Sequence, residues 1–185
     1  MKKILLASQS PRRKELLTAL GFDFEVVKID CEEILPENIQ PENAAAYLSK
    51  LKADTFKEIN LDEILITADT VVAFGAEILG KPKNAEEAKQ MLGKLSGKTH
   101  QVYTALTVKT QDKTITETDV ADVDMGILSD DEISFYTENY RPFDKAGSYG
   151  IQEWIGMAKV EKISGSYYSI MGLPTHLLYK ILKEL

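Results

Sequence analysis

Two adjacent arginines follow a serine and a proline near the start of the chain, in the stretch LASQSPRRKELL. Ser10 and Pro11 are typical of a helix start, because serine can accept a hydrogen bond from a free backbone N–H and proline needs no donor at the first helical position. Arg12 and Arg13 then lie at the positive end of the helix dipole, where a cation costs about 0.3–1 kcal/mol. A bound phosphate would remove that conflict, since helix N–H groups and guanidinium groups both bind phosphate oxygens.

A lysine and an aspartate interrupt apolar surfaces further along the chain. In the helix predicted from about Pro41 to Ile59, Lys52 lies on the apolar face and Lys50 lies nearly opposite. Lys52 therefore points toward the core or a cleft beside it, unless it is a snorkelling lysine whose stem covers apolar surface. Asp69 interrupts the buried strand predicted from EILITADTVVAF, where an ionised carboxylate is costly unless it is paired, hydrogen-bonded or bound to a metal. The alternative is that Asp69 ends the strand and caps a turn.

Two further charged residues complete a possible site. Glu33 lies in the acidic, proline-punctuated loop DCEEILPENIQPEN, and Lys81 lies between a glycine and a proline that constrain its backbone. Each is weak evidence alone, because charged residues in loops are usually solvated. The combined set is a cationic clamp with two acids: Arg12, Arg13, Lys52, Lys81, Asp69 and Glu33. Such a set is typical of a polyphosphate bound together with a divalent metal.

Composition restricts the other functional classes. The chain has 185 residues, 44% of them hydrophobic, which predicts a single domain spanning residues 1–185. Its formal net charge of −7 argues against broad binding to nucleic acid, which relies on basic surfaces. No stretch approaches the ~20 apolar residues of a membrane span. The single cysteine, Cys31, excludes an internal disulfide and favours a reducing compartment, so we expect a cytoplasmic protein.

No competing catalytic or metal-binding motif is strong in the sequence. It contains no phosphate-loop signature, no G-x-G-x-x-G and no C-x-x-C. His100 and His176 are far apart and lack metal-ligand spacing, which disfavours a structural zinc site.

The hydrophobic pattern predicts a mixed α/β fold. Helices are expected at about 11–20, 41–59 and 84–95, after Ser129, and in the closing segment LPTHLLYKILKEL. Strands are expected at 4–7 and 24–29, in EILITADTVVAF, in the short return after it, in a hairpin formed by HQVYTALTVKT and TITETDVADVDM, and in AKVEKISG. RPFDKAGSYGIQ is predicted to be a loop. Intermingled helices and strands with one antiparallel hairpin indicate a mixed sheet.

Several segments, in order, resemble the signatures of the Maf family of nucleotide pyrophosphatases. They are LASQSPRRKELL, ADTVV, GKP, LSGKTHQVYT, DKAGSYGIQ and ISGSYYSIMGLP, and they span nearly the whole chain. The resemblance implies a fold like that of the inosine triphosphate pyrophosphatases: a mixed, twisted sheet flanked by helices, with two lobes and a central cleft. It also implies cleavage of a nucleoside triphosphate to the monophosphate and pyrophosphate, with Mg²⁺, Mn²⁺ or Co²⁺.

The same resemblance assigns roles to individual residues. Asp69 becomes the proton acceptor that activates water, and Glu33 a metal or water ligand that shares the cation with Asp69. Gln152 becomes a base-recognition or substrate-positioning residue. Five residues become phosphate contacts, of which the two lysines also serve catalysis: Ser8, Arg12, Arg13, Lys52 and Lys81. Ser8 and Gln152 rest on the resemblance alone.

Three positions indicate which base is preferred. Family members that act on dTTP and UTP carry Arg, Thr and Gln, matched here by Arg12, Thr70 and Gln152. The branch that acts on 7-methyl-GTP typically carries an aromatic residue, Gln and Glu. A glutamine can pair with the uracil edge through both its donor and its acceptor. The resemblance therefore implies hydrolysis of dTTP, UTP and modified forms of them.

Two other functions stay open at this stage. One keeps the fold but takes a non-standard purine triphosphate. The other is a nucleotide-binding regulator of cell division with little turnover, which the intact Asp69 and the full lysine set argue against. The expected partner is a small nucleoside triphosphate, without nucleic acid or membrane, and related proteins suggest a homodimer.

Overall fold

The structure is a computed structural model that describes residues 2–185. Within that range the strands are β1 (Lys3–Leu6), β2 (Phe24–Val26), β3 (Glu63–Phe74), β4 (Glu77–Leu79), β5 (Thr99–Lys109), β6 (Thr114–Met125) and β7 (Val160–Ser164). The helices are α1 (Pro11–Ala19), α2 (Pro41–Thr55), α3 (Ala85–Leu95), α4 (Asp130–Tyr140), α5 (Trp154–Lys159), α6 (Tyr167–Met171) and α7 (Thr175–Glu184), with a short 3-10 turn at Ala146–Ser148. None of these helices is long and apolar enough to cross a membrane.

The strands form one mixed sheet in the order β2-β1-β3-β5-β6-β7, and β4 also pairs with β3. β1 runs parallel to both β2 and β3, whereas β4 is antiparallel to β3 and β7 is antiparallel to β6. β5 and β6 are neighbours joined by a tight turn, in which Thr110 N–H donates to the Lys113 carbonyl at 2.8 Å. A connection this short requires antiparallel strands, so the predicted hairpin and the mixed α/β class are confirmed.

The chain divides into two compact units. The first unit contains the chain up to Thr70, Thr104–Asp119 and Gly172–Leu185, and the second contains Val71–Tyr103 and Val120–Met171. Each unit contains part of each of the long strands β3, β5 and β6. The single domain and the cleft expected from the sequence stay predictions.

In the first unit, α2 packs against the buried face of the parallel strands. Leu5 and Leu65 are 3% and 0% exposed, and they form a cluster with Ala7 and Ala53. Phe56 and Ile59 pack against this cluster although both lie beyond the end of the helix.

Several predicted boundaries are wrong at their ends. α2 ends at Thr55, because Phe56 adopts an extended backbone with φ −79° and ψ 102°. At that end the Lys109 ammonium donates to the carbonyls of Ala53 and Phe56 at 2.9 and 2.8 Å, which satisfies carbonyls that the helix leaves unpaired. β2 is shorter than expected and ends at Val26.

Two helices were not predicted: α5 and α6, of six and five residues.

The helix caps only partly follow the predicted pattern. Ser129 forms the full capping box with Glu132, whereas Asn84 caps α3 through Glu87 N–H but Glu87 returns its carboxylate to Lys83 N–H. Ser10 is the N-cap of α1 but makes no side-chain cap, and its backbone N–H donates to Ser8 Oγ at 3.2 Å.

Candidate active site

Lys52 lies in the last turn of α2 and is turned away from solvent. Its side chain is 14% exposed, against 56% for Lys50, so the predicted difference between the two faces of the helix is confirmed. The Lys52 ammonium forms an ion pair with the Asp69 carboxylate and lies 3.0 Å from Glu33 Oε1. The Lys52 ammonium therefore joins two carboxylates, one from a buried strand and one from an exposed loop.

Asp69 lies in the middle of β3, where most neighbouring side chains are apolar and buried. The strand continues to Phe74, so the alternative in which Asp69 ends it at a turn is wrong. Asp69 is 8% exposed, its Oδ1 accepts from Thr70 N–H at 2.9 Å, and its Oδ2 pairs with Lys52. A carboxylate offers about four acceptor sites. Both oxygens therefore keep the capacity to accept a further hydrogen bond from water.

Arg13 joins the start of α1 to two other parts of the first unit. Its Nε donates to the Gly172 carbonyl at 2.8 Å, one terminal nitrogen donates to Thr70 Oγ1 at 3.3 Å, and the other lies 3.5 Å from Ser8 Oγ. Burial lowers the pKa of the Arg13 guanidinium, and the negative charge of Asp69 opposes that shift. Arginine nonetheless stays protonated in proteins, so this is a fixed positive charge beside the carboxylates.

The first unit thus brings together two groups of the residues expected from the sequence. Lys52 holds Asp69 and Glu33, and Arg13 contacts Ser8 and Thr70. The two groups are joined because Asp69 and Thr70 are consecutive in β3. Arg12 is partly buried near the start of α1.

Buried hydroxyl groups that sequence reasoning missed fasten α2 to the sheet. Ser49 Oγ donates to Thr107 Oγ1 at 2.9 Å, and Thr67 Oγ1 donates to the Ser49 carbonyl at 2.7 Å. Ser49 precedes Lys52 by one helical turn, and Thr67 precedes Asp69 by two residues on the same face of the strand. These bonds therefore fix the register that places Lys52 against Asp69. Polar residues on otherwise apolar faces were the available signal.

The remaining two predicted residues, Lys81 and Gln152, belong to the second unit. Lys81 is exposed and follows Gly80, whose carbonyl accepts from Gly147 N–H at 3.1 Å. Gln152 is partly buried, and its Oε1 is a buried atom with no hydrogen-bond partner among residues 2–185. Buried polar atoms are rarely left unpaired, which makes this oxygen a candidate acceptor for a ligand. The roles of both residues stay predictions.

A buried network in the second unit, also missed from the sequence, holds the backbone next to Gln152. The Tyr136 hydroxyl accepts from Gly150 N–H at 2.9 Å and donates to the Glu153 carboxylate, which in turn lies 3.0 Å from the Lys145 ammonium. Burial, reinforced by the Glu153 hydrogen bond, raises the pKa of Tyr136, so the hydroxyl keeps its proton. These contacts restrict the segment from which Gln152 projects.

The acids of the first unit fit a divalent cation that is shared with a substrate. Within residues 2–185 no cluster of three or more histidine, cysteine or acidic side chains could hold a metal by itself. Mg²⁺, however, is usually bound by one or two carboxylates together with substrate phosphates and water. Glu33 and Asp69 form such a pair, because one ammonium already bridges them.

Comparison with known proteins identifies the family. The family model described as Maf-like protein matches residues 3–185. The chain belongs to the Maf family. This Maf-family chain is 48% identical to a dTTP/UTP pyrophosphatase of Bacteroides fragilis, in a match that covers 99% of this chain and 96% of the relative. It is 49% identical to a protein of the same description from Flavobacterium psychrophilum, covering 96% and 91% of the two chains.

A solved structure supports the fold of this Maf-family chain independently. A HAM1 protein from Coxiella burnetii superimposes with a TM-score of 0.55 over 100% of both chains, at 12% sequence identity. At that identity the likeness concerns the fold alone. It confirms the mixed α/β architecture of the inosine triphosphate pyrophosphatase type expected from the sequence.

Proposed function

We propose that this protein hydrolyses dTTP and UTP to the nucleoside monophosphate and pyrophosphate. Relatives described as dTTP/UTP pyrophosphatases match nearly the whole chain at 48–49% sequence identity. The observation that carries the proposal is the buried ion pair between Lys52 and Asp69, with Glu33 on the same ammonium. It combines a candidate base with a positive charge, as hydrolysis of a polyphosphate requires.

The chemistry follows from the acceptor capacity of Asp69. Asp69 takes a proton from a water molecule, whose oxygen forms a bond to the α-phosphorus. The bond between that phosphorus and the bridging oxygen breaks, and its electron pair leaves with pyrophosphate. Lys52, Arg12 and Arg13 contact phosphate oxygens and offset the negative charge that develops on them, which is the main contribution a protein makes to phosphoryl transfer.

Base preference is proposed to depend on Arg12, Thr70 and Gln152. The unpaired Oε1 of Gln152 supports this, because uracil and thymine each present one ring N–H donor on their pairing edge. Lys81 is proposed to contact the phosphates together with Ser8. These assignments rest on the family resemblance and on the position of each residue.

A divalent cation is part of the proposal, with Glu33 and Asp69 as its protein ligands. When bound, it supplies charge neutralisation to the phosphates of the substrate. Removal of metal with EDTA should abolish turnover, and Mg²⁺, Mn²⁺ or Co²⁺ should restore it. Full activity in EDTA would contradict this part of the proposal.

We further propose that the protein acts on small nucleotides in the cytoplasm as a homodimer. The net charge of −7 disfavours nucleic acid as a partner, and the single cysteine is compatible with a reducing compartment. Light scattering on the purified protein tests the dimer, and a mass equal to one chain would contradict it.

The deciding experiment measures pyrophosphate release from a panel of triphosphates with Mg²⁺ or Mn²⁺. The expected result is the highest kcat/KM for dTTP and UTP, with monophosphate and pyrophosphate as products. Chromatography showing UDP and inorganic phosphate would contradict the cleavage position. Preference for a non-standard purine triphosphate would favour that alternative substrate, and binding without turnover would favour a regulator.

A further inference from the structure

The Thr70 hydroxyl is already occupied at both of its acceptor positions. Its oxygen accepts from an Arg13 terminal nitrogen at 3.3 Å and from the Thr104 hydroxyl at 3.1 Å. A threonine hydroxyl has two acceptor lone pairs and one O–H donor. Because both lone pairs are in use, this hydroxyl can interact with a ligand only by donating its proton in a hydrogen bond.

The surroundings of Thr70 leave that proton accessible. Thr70 is partly exposed, and the part of the chain that the structure describes offers no acceptor for its proton. Gly172 lies alongside, with φ +120°, and a Cβ at this position would stand 3.5 Å from Thr70 Oγ1. Because glycine has no side chain, this side of the hydroxyl stays open. Thr70 also follows Asp69 directly in β3, the strand that carries the candidate base.

We propose that Thr104 is a positioning residue that, together with Arg13, fixes the Thr70 hydroxyl as a hydrogen-bond donor to an oxygen of the bound nucleotide. This inference rests on the proposed pyrophosphatase activity. The oxygen is an acceptor of one chemical type, present both as the C4 keto group of uracil and thymine, where cytosine has an amino group, and as a phosphate oxygen. The amino group of cytosine is a donor, and it does not fit a hydroxyl that can only donate.

Thr104 acts through Thr70 rather than by touching the substrate. Thr104 lies in β5 and is 0% exposed, so a nucleotide in solution cannot reach it. Without the Thr104 donor, one lone pair of Thr70 becomes free. The Thr70 hydroxyl could then rotate and accept as well as donate, which weakens its hydrogen bond to an acceptor and its rejection of a donor.

A double-mutant cycle tests the inference. Thr104→Val keeps the shape of the side chain and removes its donor, and Thr104→Ala replaces it if the valine variant does not fold. We expect Thr104→Val to lower kcat/KM for UTP by about 3- to 10-fold, the range of one hydrogen bond. In a Thr70→Val background the same change should lower kcat/KM by a clearly smaller factor, because the hydroxyl that Thr104 positions is gone. Thr104→Ser, which restores the donor, should recover most of the activity.

Thr107→Val is the matched control. Thr107 lies on the same strand and is also 0% exposed, but its hydroxyl contacts Ser49 and Thr116. Its effect on kcat/KM should therefore multiply with that of Thr70→Val, as expected for independent sites. Thermal melting of every variant separates loss of fold from loss of function.

The substrate panel identifies the acceptor. If the oxygen is the C4 keto oxygen of the base, Thr104→Val lowers kcat/KM for UTP more than for CTP. If it belongs to a phosphate, all triphosphates lose activity by one factor. Either result, combined with the non-additive cycle, supports the proposal. A Thr104→Val variant with wild-type activity, or one whose effect multiplies with that of Thr70→Val, overturns it while pyrophosphatase activity stands. A wild-type protein without activity on any triphosphate overturns both.

Discussion

Replacing Lys52 and Lys50 by alanine, one at a time, compares two lysines of one helix in opposite environments. The side chains of Lys52 and its partner Asp69 are 14% and 12% exposed, whereas those of Lys50 and its partner Asp54 are 56% and 51% exposed. Removal of one member of a buried ion pair leaves an uncompensated charge and costs about 3–5 kcal/mol of folding free energy. An exposed pair contributes about 0.2–1 kcal/mol.

The structure places Lys52→Ala at the lower end of its range. Glu33, the second partner of Lys52, has a 46% exposed side chain and can turn toward water when the ammonium is lost. The destabilisation therefore comes mainly from Asp69, and we expect about 3 kcal/mol for Lys52→Ala. Lys50→Ala should cost less than about 1 kcal/mol. Urea unfolding of both variants measures these free energies.

The same two variants separate stability from activity. Lys52→Ala should lower kcat on UTP by about 100-fold or more, comparable to the loss of one electrostatic donor at a reacting group. Lys50→Ala should keep kcat within about 2-fold of the parent, since surface substitutions away from a site have small effects. Equal and small effects of the two variants, on stability and on kcat, would show that Lys52 only covers apolar surface.

The other predictions concern the pH dependence of stability and the two arginines of α1. Burial lowers the pKa of His100 to about 4, below its ordinary value near 6.5, so the unfolded chain binds a proton first as pH falls. This residue should therefore lower the free energy of unfolding by about 3 kcal/mol as the pH falls from 6.5 to 4. Urea unfolding at several pH values should show this extra decrease in the wild type and not in His100→Gln. The same pH dependence in both proteins would contradict the prediction. Arg13→Ala should depress kcat/KM for every triphosphate, because it removes a phosphate contact that all of them share. Arg12→Trp with Thr70→Gln and Gln152→Glu should lower dTTP and UTP hydrolysis preferentially over 7-methyl-GTP, and an unchanged substrate ranking would refute the specificity assignment.

Local sequence signals were sufficient for the elements that carry the first unit. The apolar run of β3 and the face of α2 follow from composition and spacing, and they place Asp69 and Lys52 correctly. α5 and α6 were missed because each is only about one and a half turns long, too short for a helical period to show. The end of α2 was misplaced because a distant residue, Lys109, binds the Ala53 carbonyl in its last turn and the Phe56 carbonyl just beyond it.

Long-range hydrogen bonds explain what the sequence could not show at the site. Arg13 and Gly172 are separated by 159 residues, and Thr70 and Thr104 by 34, so no local pattern pairs them. The conflict between Arg13 and the helix dipole did indicate an acceptor, and the structure supplies three: a carbonyl and two hydroxyls. A guanidinium has five N–H donors, which leaves capacity for the phosphate inferred from the sequence.

The central claim is that Asp69 is the base of a pyrophosphatase, and Asp69→Asn tests it most directly. The substitution keeps the shape of the side chain and removes its capacity to take a proton, so kcat for pyrophosphate release from UTP should fall by about 10²- to 10⁴-fold. Asp54→Asn, at an exposed ion pair of α2, is the matched control and should stay near the parent rate. A folded Asp69→Asn protein, verified by thermal melting, that releases pyrophosphate at close to the parent rate would contradict the claim.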